Sequence, residues 1–165
     1  MTAQNKMIES AKEAGMLKDQ LQNFLRFGYV PQPRQMLFHA ACREADELSL
    51  SIGFGGARGG AKTHACFAQI ALDDCQRRDG LKFLFLRKVA KSAKESINDL
   101  RRKVLFGCPH DYKSQSGTVQ FRNQSQILLG HFNHESDIDQ YLGLEYDGIA
   151  IEEATQLTKS KRDDI

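Results

Sequence analysis

A glycine loop set between a strand-like run and a helix-like run restricts the fold of this chain more than any other feature. The loop is Gly55-Gly56-Ala57-Arg58-Gly59-Gly60-Ala61-Lys62-Thr63. Before it, Leu48-Ser49-Leu50-Ser51-Ile52 alternates apolar and polar residues, which predicts a strand. After it, Ala65-Cys66-Phe67-Ala68-Gln69-Ile70-Ala71-Leu72 has the apolar spacing of a helix. Strand, glycine loop and helix in that order are the context of a phosphate-binding loop. Glycines let backbone N–H groups turn inward around an anion, and the following helix adds a partial positive charge at its start. Lys62 is placed to reach phosphate oxygens, and the Thr63 hydroxyl to ligate Mg²⁺. Read from Gly56, the pattern G-x-x-x-x-G-K-[ST] is met except that Ala61 stands in the second glycine position. The competing reading, a flexible surface loop followed by an ordinary lysine, does not account for the flanking strand and helix signals.

A chain of 165 residues suits one domain with a real core. Its 41% hydrophobic and 27% charged residues are those of a globular protein, and its apolar runs are far shorter than a membrane span. The N-terminus carries Asn5, Lys6, Glu9 and Lys12 in place of a signal-peptide core, so a cytoplasmic location is expected. A net charge of +2 is too mild to argue nucleic-acid binding by itself. Cys42, Cys66, Cys75 and Cys108 show no C-x-x-C spacing and are expected as buried free thiols. His131 with His134, and Cys108 with His110, lack the second pair that a zinc site requires.

In chain order, apolar residues recur at three- and four-residue intervals over 6–27, which predicts an amphipathic helix interrupted near Gly15. Pro31 and Pro33 mark a stop, and a second helix is predicted over 34–45. Gln35 at its start is open to two readings: an exposed helix-start glutamine, or a reader of the adenine edge through its amide. Lys82-Phe83-Leu84-Phe85-Leu86-Arg87 reads as a central parallel strand. Arg87 and Lys88 then fall at its carboxyl end, the edge at which open α/β sheets bind ligands. A helix is predicted over 90–106, whose Lys91, Lys94, Arg101, Arg102 and Lys103 are either a solvated face or a track for a DNA backbone. Residues 117–121 and 126–131 form two strand-like runs about Arg122-Asn123-Gln124-Ser125, a predicted hairpin. A short helix is expected over 135–142, and a last strand ends in Ile151-Glu152-Glu153.

Those two acids complete the chemistry that the loop begins. A nucleotide hydrolase needs an anion to hold Mg²⁺ and a carboxylate to orient or deprotonate the attacking water. Glu152 is the candidate metal residue and Glu153 the candidate base. Glu152 is one methylene longer than the aspartate usual at such a position, so direct coordination requires a small shift.

Taken together, Gly56-Ala57-Arg58-Gly59-Gly60-Ala61-Lys62-Thr63, Phe85-Leu86-Arg87-Lys88, Gly117-Thr118-Val119-Gln120-Phe121-Arg122-Asn123, Tyr141-Leu142-Gly143-Leu144-Glu145-Tyr146-Asp147 and Ile151-Glu152-Glu153-Ala154-Thr155-Gln156 resemble the ATPase part of the large terminase subunit of tailed phages. The resemblance covers roughly residues 30–158, and its specificity lies in the ordered set. It implies an α/β fold of the P-loop NTPase (RecA/ASCE-like) type with a mainly parallel central sheet, incomplete at the C-terminus. It also implies a helical segment over 1–30 followed by the ATPase domain over 31–165.

By resemblance, ATP and Mg²⁺ are the cofactors. Gly56, Ala57, Arg58, Gly59, Gly60, Ala61, Lys62, Thr63 and Gln35 bind nucleotide, Thr63 and Glu152 serve the metal, and Glu153 is the base. Arg58 is similar to the arginine that terminases often carry in this loop near the γ-phosphate, where a planar guanidinium pairs with two oxygens at once. Double-stranded DNA, a small terminase subunit, a portal protein and a homo-oligomeric ring are the implied partners. Terminases generally continue into a coupling segment and a nuclease domain, which are expected to be missing from a chain reaching only Ile165. No arginine lies between Arg122 and Arg162, and nothing selects a trans-acting finger among Arg101, Arg102 and Arg122. Two other readings are a helicase-type P-loop ATPase and a non-catalytic nucleotide-binding fragment.

Overall fold

The computed structural model describes residues 2–46, 48, 50–56, 61–88 and 93–160. The apolar run over 6–27 folds as two helices, α1 (Ala3–Glu13) and α2 (Lys18–Arg26). They separate where predicted: Gly15 takes φ 75°, a left-handed conformation that glycine adopts without a Cβ clash. α3 (Pro33–Ala45) begins on the proline itself, whose fixed φ suits a first helical turn. Gln32 and Gln35 close a reciprocal capping box there, with Gln32 N–H donating to Gln35 Oε1 at 2.8 Å.

After the glycine loop a helical run spans 62–77, longer than the sequence pattern suggests. It comprises α4 (Lys62–Ala68), a π-helical segment (Gln69–Asp74) and α5 (Cys75–Arg77). All six residues of the π segment are buried, so this stretch is enclosed on every side. The end of the run is closed by the turn of the distant hairpin: Asn123 Nδ2 donates to the carbonyls of Cys75 (2.7 Å) and Arg78 (3.1 Å).

Among the described residues, five strands form one sheet in the order β2-β3-β4-β1-β5: β1 (Lys82–Lys88), β2 (Asp111–Lys113), β3 (Thr118–Gln120), β4 (Gln126–Phe132) and β5 (Gly148–Ile151). β1 lies between β4 and β5 and runs parallel to both, with Leu84, Phe85 and Leu86 buried. The predicted hairpin is present as β3 and β4, and β2 extends it antiparallel. The molecule is therefore an α/β protein with a mixed sheet and flanking helices. The expectation of a mainly parallel sheet is corrected, because the short turns joining β2, β3 and β4 permit only antiparallel pairing. α6 (Ala93–Val104) lies in the crossover from β1, and residues 90–92 of the predicted helix fall outside the described residues.

The strand predicted before the glycine loop is also corrected. Leu48 is in a turn and 50–56 have no regular structure; Leu48 and Leu50 are 59% and 58% exposed. Alternation makes a strand only where a neighbour accepts its backbone bonds, and none of the five described strands pairs with this stretch.

One continuous core joins Phe24 and Phe27 of the N-terminal helices to Phe67, Ala68, Ala71 and Leu72 of the helical run and to Phe85, Ile127 and Ala150 of the sheet. Phe67 meets Phe85 edge-on at 5.4 Å. Inside this apolar packing lies a polar network. Arg43 grips Asp73 bidentately, Nε to Oδ2 at 2.6 Å and Nη2 to Oδ1 at 2.7 Å. Gln69 donates to both Asp73 and Asp74 at 2.9 Å, and Gln20 links the His39 carbonyl to Gln69. His39 Nδ1 lies 2.8 Å from Gln69 Oε1 and its Nε2 lies 3.2 Å from the Tyr29 hydroxyl. Since Gln69 Oε1 only accepts, Nδ1 carries the proton and Nε2 accepts from Tyr29, which is the neutral imidazole. Burial accordingly lowers the His39 pKa to about 4, against the opposing pull of Gln69 and Asp73. The network fixes α2 and α3 to the helix that begins at the glycine loop. No helix among the described residues is long and apolar enough to cross a membrane.

Candidate functional site

Both ends of the glycine loop have left-handed backbone. Gly56 has φ 140°, and Ala61, the helix N-cap residue, has φ 50° and ψ 32°. The alanine in the second glycine position thus adopts the conformation for which glycine is usual, at a cost of order 1 kcal/mol. Lys62 reaches back over the loop, and its ammonium donates to the Gly56 carbonyl at 3.0 Å. Ala57, Arg58, Gly59 and Gly60, four of the predicted nucleotide-binding residues, lie outside the described residues. The approach to the loop is held by Phe54, whose ring stacks on Phe38 of α3 at 4.6 Å.

Thr63 and Glu152 meet. The threonine hydroxyl, in the first turn of α4, donates to Glu152 Oε1, across a separation of 89 positions in sequence. Glu152 follows the last residue of β5, and its N–H donates to the Leu86 carbonyl at 2.8 Å, which sets it beside the end of β1. The next residue of β1 after Leu86 is Arg87, whose Nε forms an ion pair with Glu152 Oε2 at 3.1 Å. That oxygen is buried without a hydrogen-bond donor among the described residues, so charge alone compensates it there. His64 lies close by: burial and then the Lys103 charge lower its pKa, while Glu152 pulls it upward.

Compared with protein-family models, with curated proteins and with solved structures, the chain gives no match.

The remaining predicted residues divide. Gln35 is 4% exposed, so it is not a solvated helix-start glutamine. Its Oε1 accepts from Gln32 and its Nε2 donates to the Ala61 carbonyl at 3.3 Å, which ties α3 to the end of the loop. Glu153 is more exposed than Glu152. It has φ 54°, is exposed, and stands as N-cap to the 3₁₀ turn Ala154–Gln156, so the chain turns away from the strand between the two acids. Non-glycine residues in this region cost roughly 1–3 kcal/mol and cluster at functional sites.

In the sequence Arg87 stands out for its strand end and as part of Phe85-Leu86-Arg87-Lys88; its partner cannot be read there. The pairing follows from β1 and β5 being adjacent and parallel, with Leu86 opposite Ile151. Chemically, a hydroxyl and a carboxylate facing each other, with the Arg87 guanidinium alongside, form a hard oxygen site next to a positive charge. Such a donor set fits Mg²⁺, which takes one or two protein oxygens and keeps water or phosphate on its other positions.

Proposed function

We propose that this chain is the ATP-binding and ATP-hydrolysing motor domain of a phage large terminase subunit, with a P-loop NTPase fold, acting in the packaging of double-stranded DNA into procapsids. The observation that carries the reading is the contact between Thr63 and Glu152, which unites the loop with the acidic strand end in one site. In this reading Lys62 leaves the Gly56 carbonyl for the β- and γ-phosphate oxygens. Loop N–H groups from 56–63, including those of Ala57, Gly59 and Gly60, cradle the phosphates, and Arg58 pairs with the γ-phosphate. Thr63 and Glu152 would hold Mg²⁺, which would supply positive charge to the phosphates. Glu153, exposed beside them, takes the proton of the attacking water. Gln35 supports the loop end at Ala61 and uses its remaining amide capacity on the adenine edge. The DNA, the small subunit, the portal protein and the ring come with the terminase reading.

The test is equilibrium binding of a fluorescent ATP analogue with Mg²⁺, together with turnover in the presence of DNA. Lys62→Ala is expected to lose binding. Glu153→Gln is expected to bind ATP but to turn it over at least ~10²-fold more slowly, the usual loss for a general base. Equal nucleotide affinity in wild type and Lys62→Ala contradicts the reading. A non-catalytic nucleotide-binding role is the second reading, favoured by one observation: Leu48 and Leu50, which lead into the loop, are exposed and unpaired with the described sheet. Under it, wild type and Glu153→Gln both bind nucleotide but neither releases phosphate.

A further inference from the structure

Glu152 is held at both oxygens, and the two grips differ in kind. Thr63 donates a neutral hydrogen bond to Oε1, while Arg87 presents a full charge to Oε2 at 3.1 Å. Both members of the ion pair are largely withdrawn from water, with side-chain exposures of 23% and 16%, so solvent screens the charge only in part. The backbone bond from Glu152 N–H to the Leu86 carbonyl fixes the carboxylate's origin independently of Arg87.

We propose that Arg87 is a positioning residue of the divalent-cation site, which holds Glu152 in its cation-free pose and sets how much Mg²⁺ the site requires. The inference rests on the reading of Thr63 and Glu152 as a Mg²⁺ site. A dication seated between those two side chains gains from the carboxylate and loses from the neighbouring guanidinium. For the cation to enter, the Thr63 proton must swing off Oε1, so that both oxygens offer lone pairs. Arg87 stays beside Oε2, where its charge opposes the dication. Because Thr63 and the strand backbone also hold Glu152, removing Arg87 costs little in orientation. The dominant effect of its removal is the loss of a repelling charge.

The experiment is a Mg²⁺ titration of fluorescent-ATP binding in wild type, Arg87→Gln, Arg87→Lys and Lys62→Ala, with circular dichroism to verify folding. Arg87→Gln is expected to reach half-maximal binding at Mg²⁺ concentrations at least ~3-fold lower than wild type, and Arg87→Lys, which keeps the charge, within error of wild type. An unchanged or increased Mg²⁺ requirement in Arg87→Gln overturns the proposal. If Lys62→Ala binds nucleotide as wild type does, the underlying ATP reading fails; if Lys62→Ala loses binding while Arg87→Gln is unaltered, the Arg87 role alone fails. A measurement on the unmodified protein serves if the glutamine variant does not fold. The Arg87 Nε–H resonance in ¹H–¹⁵N spectra should move on addition of Mg²⁺ without nucleotide, and a resonance unmoved through saturation overturns the proposal.

Discussion

Ala61 holds a conformation that its side chain disfavours, with φ 50°, at the junction where loop becomes helix. The Ala61 carbonyl accepts from both Gln35 Nε2 and Ala65 N–H, so neighbours impose the geometry on the residue. Ala61→Gly should therefore relieve strain. The expected gain is about 1 kcal/mol in denaturant unfolding, in contrast to the loss that alanine-to-glycine changes bring inside helices. A loss in this variant contradicts a strained Ala61. The departure from the loop pattern was legible at this position, since the pattern names the glycine. What was not legible was that alanine would keep the glycine's conformation, because that depends on contacts from α3, 26 positions away. The different exposure of Glu152 and Glu153 was hidden for a similar reason. Adjacent acids read alike in sequence, and only the left-handed turn at Glu153 separates them.

The helical run 62–77 is anchored by charges of opposed behaviour. Asp73 is fully buried; burial alone would raise its pKa, but hydrogen bonds from Arg43 and Asn23 hold it below the usual carboxylate value. Asp74, raised by burial and by the adjacent Asp73 charge, has a pKa of about 6. A carboxyl raised in the folded state favours folding in its protonated form, so its contribution is full below its unfolded value near 4 and is lost as pH rises through about 6. His39 acts in the other sense: lowered to about 4, it supports the fold above its unfolded value near 6.5 and loses that support as pH falls. Asp74→Asn, which mimics the protonated acid, should gain on the order of 1–3 kcal/mol of stability at pH 8 and progressively less toward pH 4. Urea unfolding at pH 8, 6 and 4.5 checks this, and a difference independent of pH contradicts it. Helices were the most legible elements, because α1, α2, α3 and α6 carry local periodicity and local stops. One strand had no sequence signal and one expected strand is not formed. β2, Asp111–Lys113, is three polar or half-exposed residues that acquire strand form from β3, while Leu48-Ser49-Leu50-Ser51-Ile52 has the pattern but no described partner.

At the scale of the whole molecule, the sheet brings the ends of β1 and β5 together and turns them toward the start of α4. Thr63, Arg87 and Glu152 therefore converge although they come from three separate stretches of chain. The sequence pointed to Thr63 and Glu152 through residue type and order. Parallel register is a non-local property, so the adjacency of Arg87 to Glu152 had no local signature. The central claim is that the loop and the acidic strand end form one Mg²⁺–nucleotide site. A double-mutant cycle on Thr63→Val and Glu152→Gln tests it directly, with Mg²⁺-dependent affinity for a fluorescent ATP analogue as the readout. If the two side chains share one cation, each single change should weaken binding and the double variant should be little worse than either, with a coupling of at least about 1 kcal/mol. Losses that simply add would contradict a shared site.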